Sequence, residues 1–465
     1  MATICAISTP YGTGGIAVVR VSGEESISIV DRLFRGRVAL SAAKGGTVHF
    51  GRIEREGEVL DEVLCSVFRA PHSFTGEDTV EIACHGSLYI QQELLRWLID
   101  AGCRAAEPGE FTRRAFLNGK MDLTRAEAVA DLIAAQSKAE KDLALSQLRG
   151  SVSNELAALR EKLLHFTSLI ELELDFADHE ELEFADRSEL TALSDGIEHK
   201  LASLIASFRA GNAIRNGISV AIVGAPNVGK STLLNALLGE QRAIVSDIQG
   251  TTRDTIEDTL VIDGLLFRLI DTAGLRETDD VIEQMGVERS RKAMENAQIV
   301  IHVMDATCPD AVIPEISTRY GRDLTVLSVV NKVDLQSPNL KSQISNLHTA
   351  SADRSRLCRD KKSSTPLLIS AKNGEIEPLR RELVRVAKAM TQTSAVMLSN
   401  ARHYEAISRA HEAILRVQEG LANGISGELL SMDLQDCLAA LGEVTGQITN
   451  AEVLNNIFSK FCIGK

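Results

Sequence analysis

The sequence predicts a multidomain protein with an α+β N-terminal domain, an all-α helical domain, and an α/β domain inserted into the helical one. Three observations predict this architecture. Short β-branched runs broken by glycine fill the first part of the chain. Apolar residues at helical spacing follow, and alternating strand and helix patterns then precede a second helical stretch. A length of 465 residues agrees with about three domains.

The composition is that of an ordinary globular chain, with 44% hydrophobic and 25% charged residues. The formal net charge is −14, so nucleic acid would have to be bound by a local basic patch or by a basic partner. No apolar run is long enough for a membrane span, and the N-terminus lacks the pattern of a signal peptide. The eight cysteines are scattered without a C-x-x-C pair. We therefore expect a cytoplasmic protein without a membrane segment.

The first domain is predicted from strand-like runs. They lie at Ile16–Val21, Val59–Phe68 and Thr79–Cys84, with glycine-containing or proline-containing turns between them. A helical stretch covers Ser87–Ala101. This pattern predicts a compact α+β domain.

Helical periodicity begins after Asp122. Thr124 and Glu127 fit a capping box, in which both side chains bind free backbone N–H groups at a helix start. Apolar residues then recur at helical spacing to about Arg215, with little glycine and no proline. The same spacing returns from residue 403 to residue 461.

Two arrangements of these helical stretches are open. They could form two separate domains, or one domain that is interrupted by the α/β part. We favour one interrupted domain, because neither stretch has the pattern to bury its apolar face alone. The predicted boundaries are 1–118 for the N-terminal domain, 119–214 and 388–465 for the two parts of the helical domain, and 215–387 for the α/β domain.

A P-loop signature, G-x-x-x-x-G-K-[ST], lies at Gly224–Ser231. It follows a β-branched strand, Ile218–Val223, and opens a helix, Thr232–Leu238. Such a loop directs backbone N–H groups to phosphate at a helix N-terminus. Lys230 adds charge beside the β- and γ-phosphates and is a predicted catalytic residue, and Ser231 is placed to bind Mg²⁺.

Three further segments follow predicted strands and indicate a guanine nucleotide. Asp271–Gly274 reads Asp-Thr-Ala-Gly, in which the carboxylate holds Mg²⁺ through water and the glycine approaches the γ-phosphate. Asn331–Asp334 reads Asn-Lys-Val-Asp, and the Asp334 carboxylate can accept from guanine N1–H and the 2-amino group, which adenine does not offer. Ser370–Lys372 supplies a backbone N–H to guanine O6. GTP is therefore the predicted nucleotide.

The polar segment Gln241–Thr255 has the pattern of a switch that closes on the γ-phosphate, with Thr252 as the second Mg²⁺ ligand. Together these segments give one predicted set of contacts to nucleotide. The predicted GTP-binding residues are Asn227, Val228, Gly229, Lys230, Ser231, Thr232, Ser246, Asp247, Ile248, Gln249, Gly250, Thr251, Asp271, Thr272, Ala273, Gly274, Asn331, Lys332, Asp334, Ser370, Ala371 and Lys372.

Leu275 is an exception in this site. Many GTPases have glutamine at this position, where it orients the attacking water. An apolar side chain has no group for that task, so a residue in the next stretch must orient the water. The candidates are Arg276, Glu277, Asp279, Asp280, Glu283 and Arg289.

Several motifs together resemble the MnmE (also called TrmE) family of tRNA-modification GTPases, over essentially the whole chain. They are Asn227 in the P-loop, Gly-Thr-Thr-Arg-Asp at 250–254, Leu275, Phe-Cys-Ile-Gly-Lys at 461–465, and the N-terminal segments Ser73–Asp78 and Pro108–Lys120. The resemblance implies a folate-binding-like N-terminal domain that also dimerises, a helical domain, and an inserted Ras-like P-loop GTPase domain.

The resemblance also implies that K⁺ stimulates hydrolysis when two GTPase domains meet. The implied K⁺ ligands are Asn227, Ser246, Ile248 and Thr251. Glu283 matches the family's glutamate that orients the water, although a solvated carboxylate at a helix start is the alternative.

In the N-terminal domain, the resemblance implies a site for a 5-formyl-tetrahydrofolate-type one-carbon donor, lined by Arg20, Glu81, Lys120 and Lys465. A carboxylate suits the amino and N–H donors of a pterin, and the cations suit a glutamate tail. His85-Gly86-Ser87 departs from the family, which commonly has two glycines after the histidine. Cys462 is a reactive thiol by the family motif, or else a small buried hydrophobic residue.

The implied function is that of the GTP-hydrolysing component of a system that modifies C5 of the tRNA wobble uridine with aminomethyl or carboxymethylaminomethyl groups. The family acts as a homodimer with the FAD-dependent protein MnmG (GidA), and the negative charge of this chain agrees with tRNA held mainly by that partner. A regulatory or ribosome-assembly GTPase is one alternative. A free-standing folate aminomethyl transferase with an acquired GTPase domain is another.

Overall fold

The computed structural model describes residues 1–175, 187–239, 258–270, 293–307, 324–335, 366–392 and 396–464. They divide into two compact units, one made of 1–133, 145–202 and 405–465, the other of 134–144 and 203–404. Along the chain, the second unit interrupts the first. The predicted fold class is confirmed, with an α+β N-terminal domain, a helical domain and an α/β P-loop GTPase domain. The four predicted domain ranges stay a prediction.

The N-terminal sheet has the strand order β3-β4-β5-β6-β2-β1-β7. Its neighbours pair antiparallel except for β1 and β7, which are parallel. Its elements are β1 (Ile4–Ile7), β2 (Ile16–Ser22), α1 (Ser26–Leu33), β3 (Phe34–Gly36), β4 (Thr47–Arg55), β5 (Glu58–Phe68), β6 (Thr79–His85), α2 (Leu88–Asp100), β7 (Arg104–Ala105) and α3 (Glu110–Leu117).

The two faces of this sheet differ because successive side chains of a strand point to opposite sides. One face buries Val19, Cys65 and Ile82 in a core with the helices. On β4 and β5 the other face carries Phe50 and Leu64, which are directly opposite each other and 64% and 47% exposed. We call this second side the open face.

Helices of the first unit pack by apolar stripes. They are α4 (Leu123–Ala134), α5 (Lys138–Leu148), α6 (Ser151–Asp175), α7 (Arg187–Asn216), α10 (Ala401–Asn423), α11 (Gly427–Thr445) and α12 (Ala451–Phe458), of which α4, α5, α7 and α10 extend into the second unit. Leu163, Phe166 and Ile170 share one face of α6 and are fully buried where α6 packs along α11. Phe458 at the end of α12 packs on Leu123. None of the helices in the described ranges combines the length and apolar character of a bilayer span.

The predicted capping box at Thr124 is wrong. Helix α4 already begins at Leu123, so Thr124 lies inside the first turn. The cap is instead Asp122, whose Oδ1 accepts a hydrogen bond from the Arg125 backbone N–H at 2.9 Å and from Thr124 Oγ1 at 2.6 Å. Aspartate is as good a cap as threonine, and Asp122 lies directly before the first residue of the helix.

The described residues of the second unit form a sheet with the order β13-β12-β11-β8-β10-β9, parallel except for the β9–β10 hairpin. Every residue of β8 is buried, as expected for a parallel strand with both faces covered. The carboxyl ends of β8, β11 and β12 therefore meet at one edge, where ligands bind in such folds. The elements are β8 (Ile218–Val223), α8 (Lys230–Leu238), β9 (Asp258–Ile262), β10 (Leu265–Leu269), β11 (Ile299–Asp305), β12 (Thr325–Asn331), β13 (Leu367–Leu368) and α9 (Glu377–Thr391).

Candidate functional sites

The P-loop connects β8 directly to the first turn of α8. Its backbone has positive φ at Gly224 (+155°), Asn227 (+62°) and Gly229 (+96°). A Cβ at Gly224 would overlap the Val303 carbonyl oxygen, and one at Gly229 would overlap the Asn331 side-chain nitrogen. Only glycine fits this close approach. The loop is thereby held at the start of a helix, where backbone N–H groups attract anions.

Lys230 lies within this loop. Its ammonium donates to the carbonyl oxygens of Gly224 at 2.9 Å and Ala225 at 2.8 Å. Burial lowers the pKa of the Lys230 ammonium, because a charge in this half-buried position loses water. A phosphate group here would compensate that loss, so the side chain is placed to bind an anion.

Asn331 ties two of the predicted segments together. The side chain is only 2% exposed. Its Nδ2 donates to the Val228 carbonyl oxygen in the P-loop at 2.9 Å, and its Oδ1 accepts from the Ala371 backbone N–H at 3.0 Å. The Ser370–Lys372 segment is thus fixed against the P-loop by one buried amide.

The residues predicted to recognise the base are positioned by short contacts. Asp334 Oδ1 accepts a hydrogen bond from Ser370 Oγ at 2.6 Å, which fixes the rotation of the carboxylate. Lys332 has a positive φ of +66°, and its ammonium donates to the Asn227 carbonyl oxygen at 2.6 Å. The Asn-Lys-Val-Asp segment is therefore bound to both neighbouring loops.

Asp305 is a further candidate site residue that the sequence patterns do not single out. It ends β11 and lies opposite Asn331 in the β11–β12 register. Its Oδ2 accepts from the Lys332 ammonium at 2.7 Å. Burial opposes ionisation of Asp305, but hydrogen bonds from Lys332 and Thr307 outweigh it and lower the pKa of the carboxyl group. A carboxylate at the end of an apolar strand beside the P-loop strand is the signal that could have found it.

The structure brings together part of the predicted nucleotide site. Residues 227–232, 331, 332, 334 and 370–372 all lie at or next to the carboxyl edge of the sheet. The other predictions lie outside the described residues: Ser246, Asp247, Ile248, Gln249, Gly250, Thr251, Thr252, Asp271, Thr272, Ala273, Gly274, Glu283 and Lys465.

A magnesium site here would be built from oxygen ligands. The described ranges hold no cluster of three or more His, Cys, Asp or Glu side chains that could bind a metal. Mg²⁺ does not require one, because it binds through few protein oxygens together with phosphate and water. Ser231, in the first turn of α8 after Lys230, is a hydroxyl of the required kind.

Arg20 and Glu81 form the polar centre of the open face. They are directly opposite on β2 and β6, and the Arg20 guanidinium pairs with Glu81 Oε1 at 2.8 and 2.9 Å. The guanidinium also lies over the rings of Phe74 and Phe111, with 5.4 and 5.5 Å to the ring centroids. The side chains are 14% and 29% exposed, so the pair is held rigidly yet remains reachable.

The C-terminal residues lie beside the same strands. Gly464, with φ of +92°, accepts a hydrogen bond from Ser8 Oγ at 3.2 Å, and Ser8 in turn donates its backbone N–H to Val18 of β2 at 2.8 Å. A Cβ at Gly464 would overlap the Ile7 carbonyl oxygen. Cys462 is exposed, so its alternative as a small buried residue is wrong.

The cysteines of the chain differ in burial, and Lys120 contacts a loop that Arg20 also contacts. Burial raises the pKa of Cys65 and of Cys437 to about 12, which keeps both thiols protonated and unreactive at neutral pH. Cys462, in contrast, is exposed. The Lys120 ammonium donates to the Pro71 carbonyl oxygen at 2.8 Å, in the loop that carries Phe74. Arg20 and Lys120 therefore both contact this loop.

The comparisons with known proteins agree with this architecture. Residues 3–120 match the GTP-binding protein TrmE N-terminus, and residues 123–462 match the MnmE helical domain. Proteins named tRNA modification GTPase MnmE are similar along their full length: 54% identical in Parabacteroides distasonis, with 100% of both chains covered, and 50% identical in Bacteroides thetaiotaomicron, with 100% of this chain and 99% of the relative covered. The chain therefore belongs to the MnmE (TrmE) family of tRNA modification GTPases.

Proposed function

We propose that this GTPase is the GTP-hydrolysing component of a system that modifies C5 of the wobble uridine in tRNA, adding aminomethyl or carboxymethylaminomethyl groups. Full-length similarity to relatives named tRNA modification GTPase supports a role on tRNA. The single observation that carries GTP binding is the buried Asn331 amide, which bonds to the P-loop and to the Ser370–Lys372 segment. This amide supports the proposal because it would hold the phosphate loop and the base-recognition segment at one fixed separation.

Guanine would be selected by Asp334. Its carboxylate is oriented by Ser370 and can accept two hydrogen bonds from the guanine N1–H and 2-amino groups. Adenine would leave the carboxylate without those donors, which is costly in a site built around them. The Ser370–Lys372 segment adds a backbone N–H for guanine O6.

Hydrolysis would use charge held at fixed positions. Lys230 and the loop N–H groups would stabilise negative charge on the phosphates. Ser231 and Thr252 would hold Mg²⁺, and Asp271 would hold it through water. Asn227, Ser246, Ile248 and Thr251 would hold K⁺. When bound, these ions supply positive charge beside the phosphates.

The exposure of Asn227 supports the K⁺ assignment, and the apolar character of Leu275 bears on the attacking water. Asn227 is exposed at the top of the P-loop, and Lys332 fixes its carbonyl oxygen, so its side chain is available to a cation. Because Leu275 has no polar group, we assign the orientation of the attacking water to Glu283.

The open face would bind the folate donor. Glu81 would accept from the amino and N–H groups of the pterin, while Arg20 stays fixed over Phe74 and Phe111. Lys120 and Lys465 would pair with the anionic glutamate tail. Gly464 contacts Ile7 and Ser8, and this contact places the C-terminal residues beside β2. It supports a contribution from Cys462, which we propose to be a catalytic thiol at this 5-formyl-tetrahydrofolate-type site.

Two properties of the chain support the proposed partners. Val48, Phe50 and Leu64 are exposed together on β4 and β5, and an apolar patch of this kind supports a homodimer through the N-terminal domain. A net charge of −14 supports tRNA binding mainly by an FAD-dependent MnmG (GidA) partner. The site of action would be the cytoplasm.

The test has two arms. Mass spectrometry of tRNA nucleosides from cells that lack this chain should show loss of the modified wobble uridine, and the unaltered gene should restore it. A normal nucleoside profile would favour a ribosome-assembly GTPase. In the second arm, purified protein should hydrolyse GTP faster in KCl than in NaCl, and Glu283→Ala should abolish the difference. Equal rates in both salts would contradict the K⁺ assignment.

A further inference from the structure

Asp305 occupies a position between the two strands that carry the nucleotide loops. It ends β11, which pairs with the P-loop strand β8 on one side and with β12 on the other. The backbone is fixed there, because the N–H of Ala306 donates to the Asn331 carbonyl oxygen at 2.9 Å. The side chain is thus held beside Lys332 by the sheet itself.

The two carboxylate oxygens of Asp305 have different partners. Oδ1 accepts hydrogen bonds from the Thr307 backbone N–H at 2.9 Å and from Thr307 Oγ1 at 2.8 Å. Oδ2 accepts from the Lys332 ammonium at 2.7 Å. Thr307 therefore orients the carboxylate, and Oδ2 faces the lysine.

Lys332 needs such an anchor. Its ammonium is a point charge on a flexible stem, and it bridges Asp305 and the Asn227 carbonyl oxygen of the P-loop at 2.6 Å. The side chains of Asp305 and Lys332 are 15% and 31% exposed, so water screens the pair only in part. Without the carboxylate, little would keep the ammonium on the Asn227 carbonyl oxygen.

We propose that Asp305 is a positioning residue for nucleotide retention: it holds Lys332 against the P-loop and so sets the rate at which GDP leaves. The proposal rests on GTP binding at this site. Asp305 would act through Lys332 and Asn227, without touching the nucleotide. It would keep the P-loop in the conformation that surrounds the phosphates.

The experiment is the release of a fluorescent GDP analogue from the full-length protein, followed by stopped flow. Asp305→Asn should release it about tenfold faster, equivalent to about 1.4 kcal/mol. The matched control is Asp263→Asn, which removes a carboxylate from an exposed ion pair with Lys388 in the same unit. It should change the rate by less than about twofold, as expected of a surface pair.

A purely structural role is separated by a double-mutant cycle. In the Lys332→Ala background, Asp305→Asn should have almost no further effect on release. Equal acceleration with and without Lys332 would overturn the proposal. Thr307→Ala keeps the carboxylate but loses its orienting hydroxyl, so it should accelerate release by a smaller factor, and this variant replaces Asp305→Asn if that one does not fold.

Nucleotide binding by the unaltered protein separates an error in the role of Asp305 from an error in the proposed function. If the unaltered protein binds guanine nucleotide and Asp305→Asn releases it at the normal rate, only the role of Asp305 is wrong. If the unaltered protein binds no guanine nucleotide, the proposed function is wrong and the role of Asp305 with it.

Discussion

The nucleotide site and the open face of the N-terminal sheet position their polar groups by different means. In the nucleotide site, backbone atoms and one buried amide fix the loops, and the glycines of the P-loop lie against strand ends with no room for a side chain. On the open face, Arg20 and Glu81 are held by each other and by two aromatic rings, beside exposed apolar residues. The polar groups of the nucleotide site are enclosed by their contacts, whereas those of the open face lie at the surface of a sheet.

This difference predicts how each site responds to change. A buried network loses several interactions when one member is altered, because its partners stay desolvated. The Arg20–Glu81 pair on the open face has fewer hydrogen-bond partners, so fewer interactions are lost when one member is altered. Substitutions in the nucleotide site should therefore have larger effects on ligand binding than those on the open face.

The largest effect is expected for Asp334→Asn. The amide would present a donor where guanine also presents its 2-amino donor, so GTP affinity should fall by at least about 10³-fold. The same amide can donate to the 2-oxo group of xanthine and accept from its N1–H. Calorimetry with GTP and XTP should show XTP bound in preference. Loss of both nucleotides would mean that the substitution damages the fold, and undiminished GTP binding would contradict the assignment of Asp334.

The P-loop conformation could be predicted from the sequence and the Arg20–Glu81 pair could not, for a physical reason. The P-loop is a local backbone conformation, and its glycines lie within a few residues of each other in the chain. Arg20 and Glu81 are 61 residues apart, and only the β2–β6 register makes them neighbours. Their roles came from the family resemblance alone.

Asp305 and Thr124 show the same limit. The position of Asp305 at a strand end can be read from the sequence, but its contact with Lys332 follows only from the pairing of β11 with β12. Thr124 fits a capping pattern, but the helix begins one residue before it, at Leu123, so Asp122 caps the helix. In both cases, the role of a polar side chain depends on which groups are its neighbours in the fold. A linear sequence pattern does not specify these neighbours.

An intermediate effect is expected for Arg20→Met. Methionine keeps an apolar stem over Phe74 and Phe111 but leaves Glu81 without its cation. The affinity for 5-formyl-tetrahydrofolate, measured by calorimetry, should fall about tenfold, as for the loss of one charge-assisted contact. Arg20→Lys keeps the charge, so its affinity for 5-formyl-tetrahydrofolate should fall by a smaller factor. GTP affinity should stay unchanged in both variants, and a parallel loss of GTP binding would contradict the separation of the two sites.

The smallest effect is expected at the C-terminus, for Gly464→Ala. A Cβ there would overlap the Ile7 carbonyl oxygen, but the last residues can move away at modest cost. Folate affinity should fall by a factor of about three, equivalent to well under 1 kcal/mol. The matched control is Gly57→Ala in the β4–β5 turn, where φ is +85° against +92° at Gly464 and a Cβ would meet nothing within 4 Å. Both alanines carry a similar backbone cost of about 1 kcal/mol, so thermal unfolding should shift alike. Only Gly464→Ala should weaken folate binding, because only there does the new atom displace residues beside the strands that carry Arg20. Equal folate affinity in the two variants would mean that the C-terminal residues do not contribute to the open-face site.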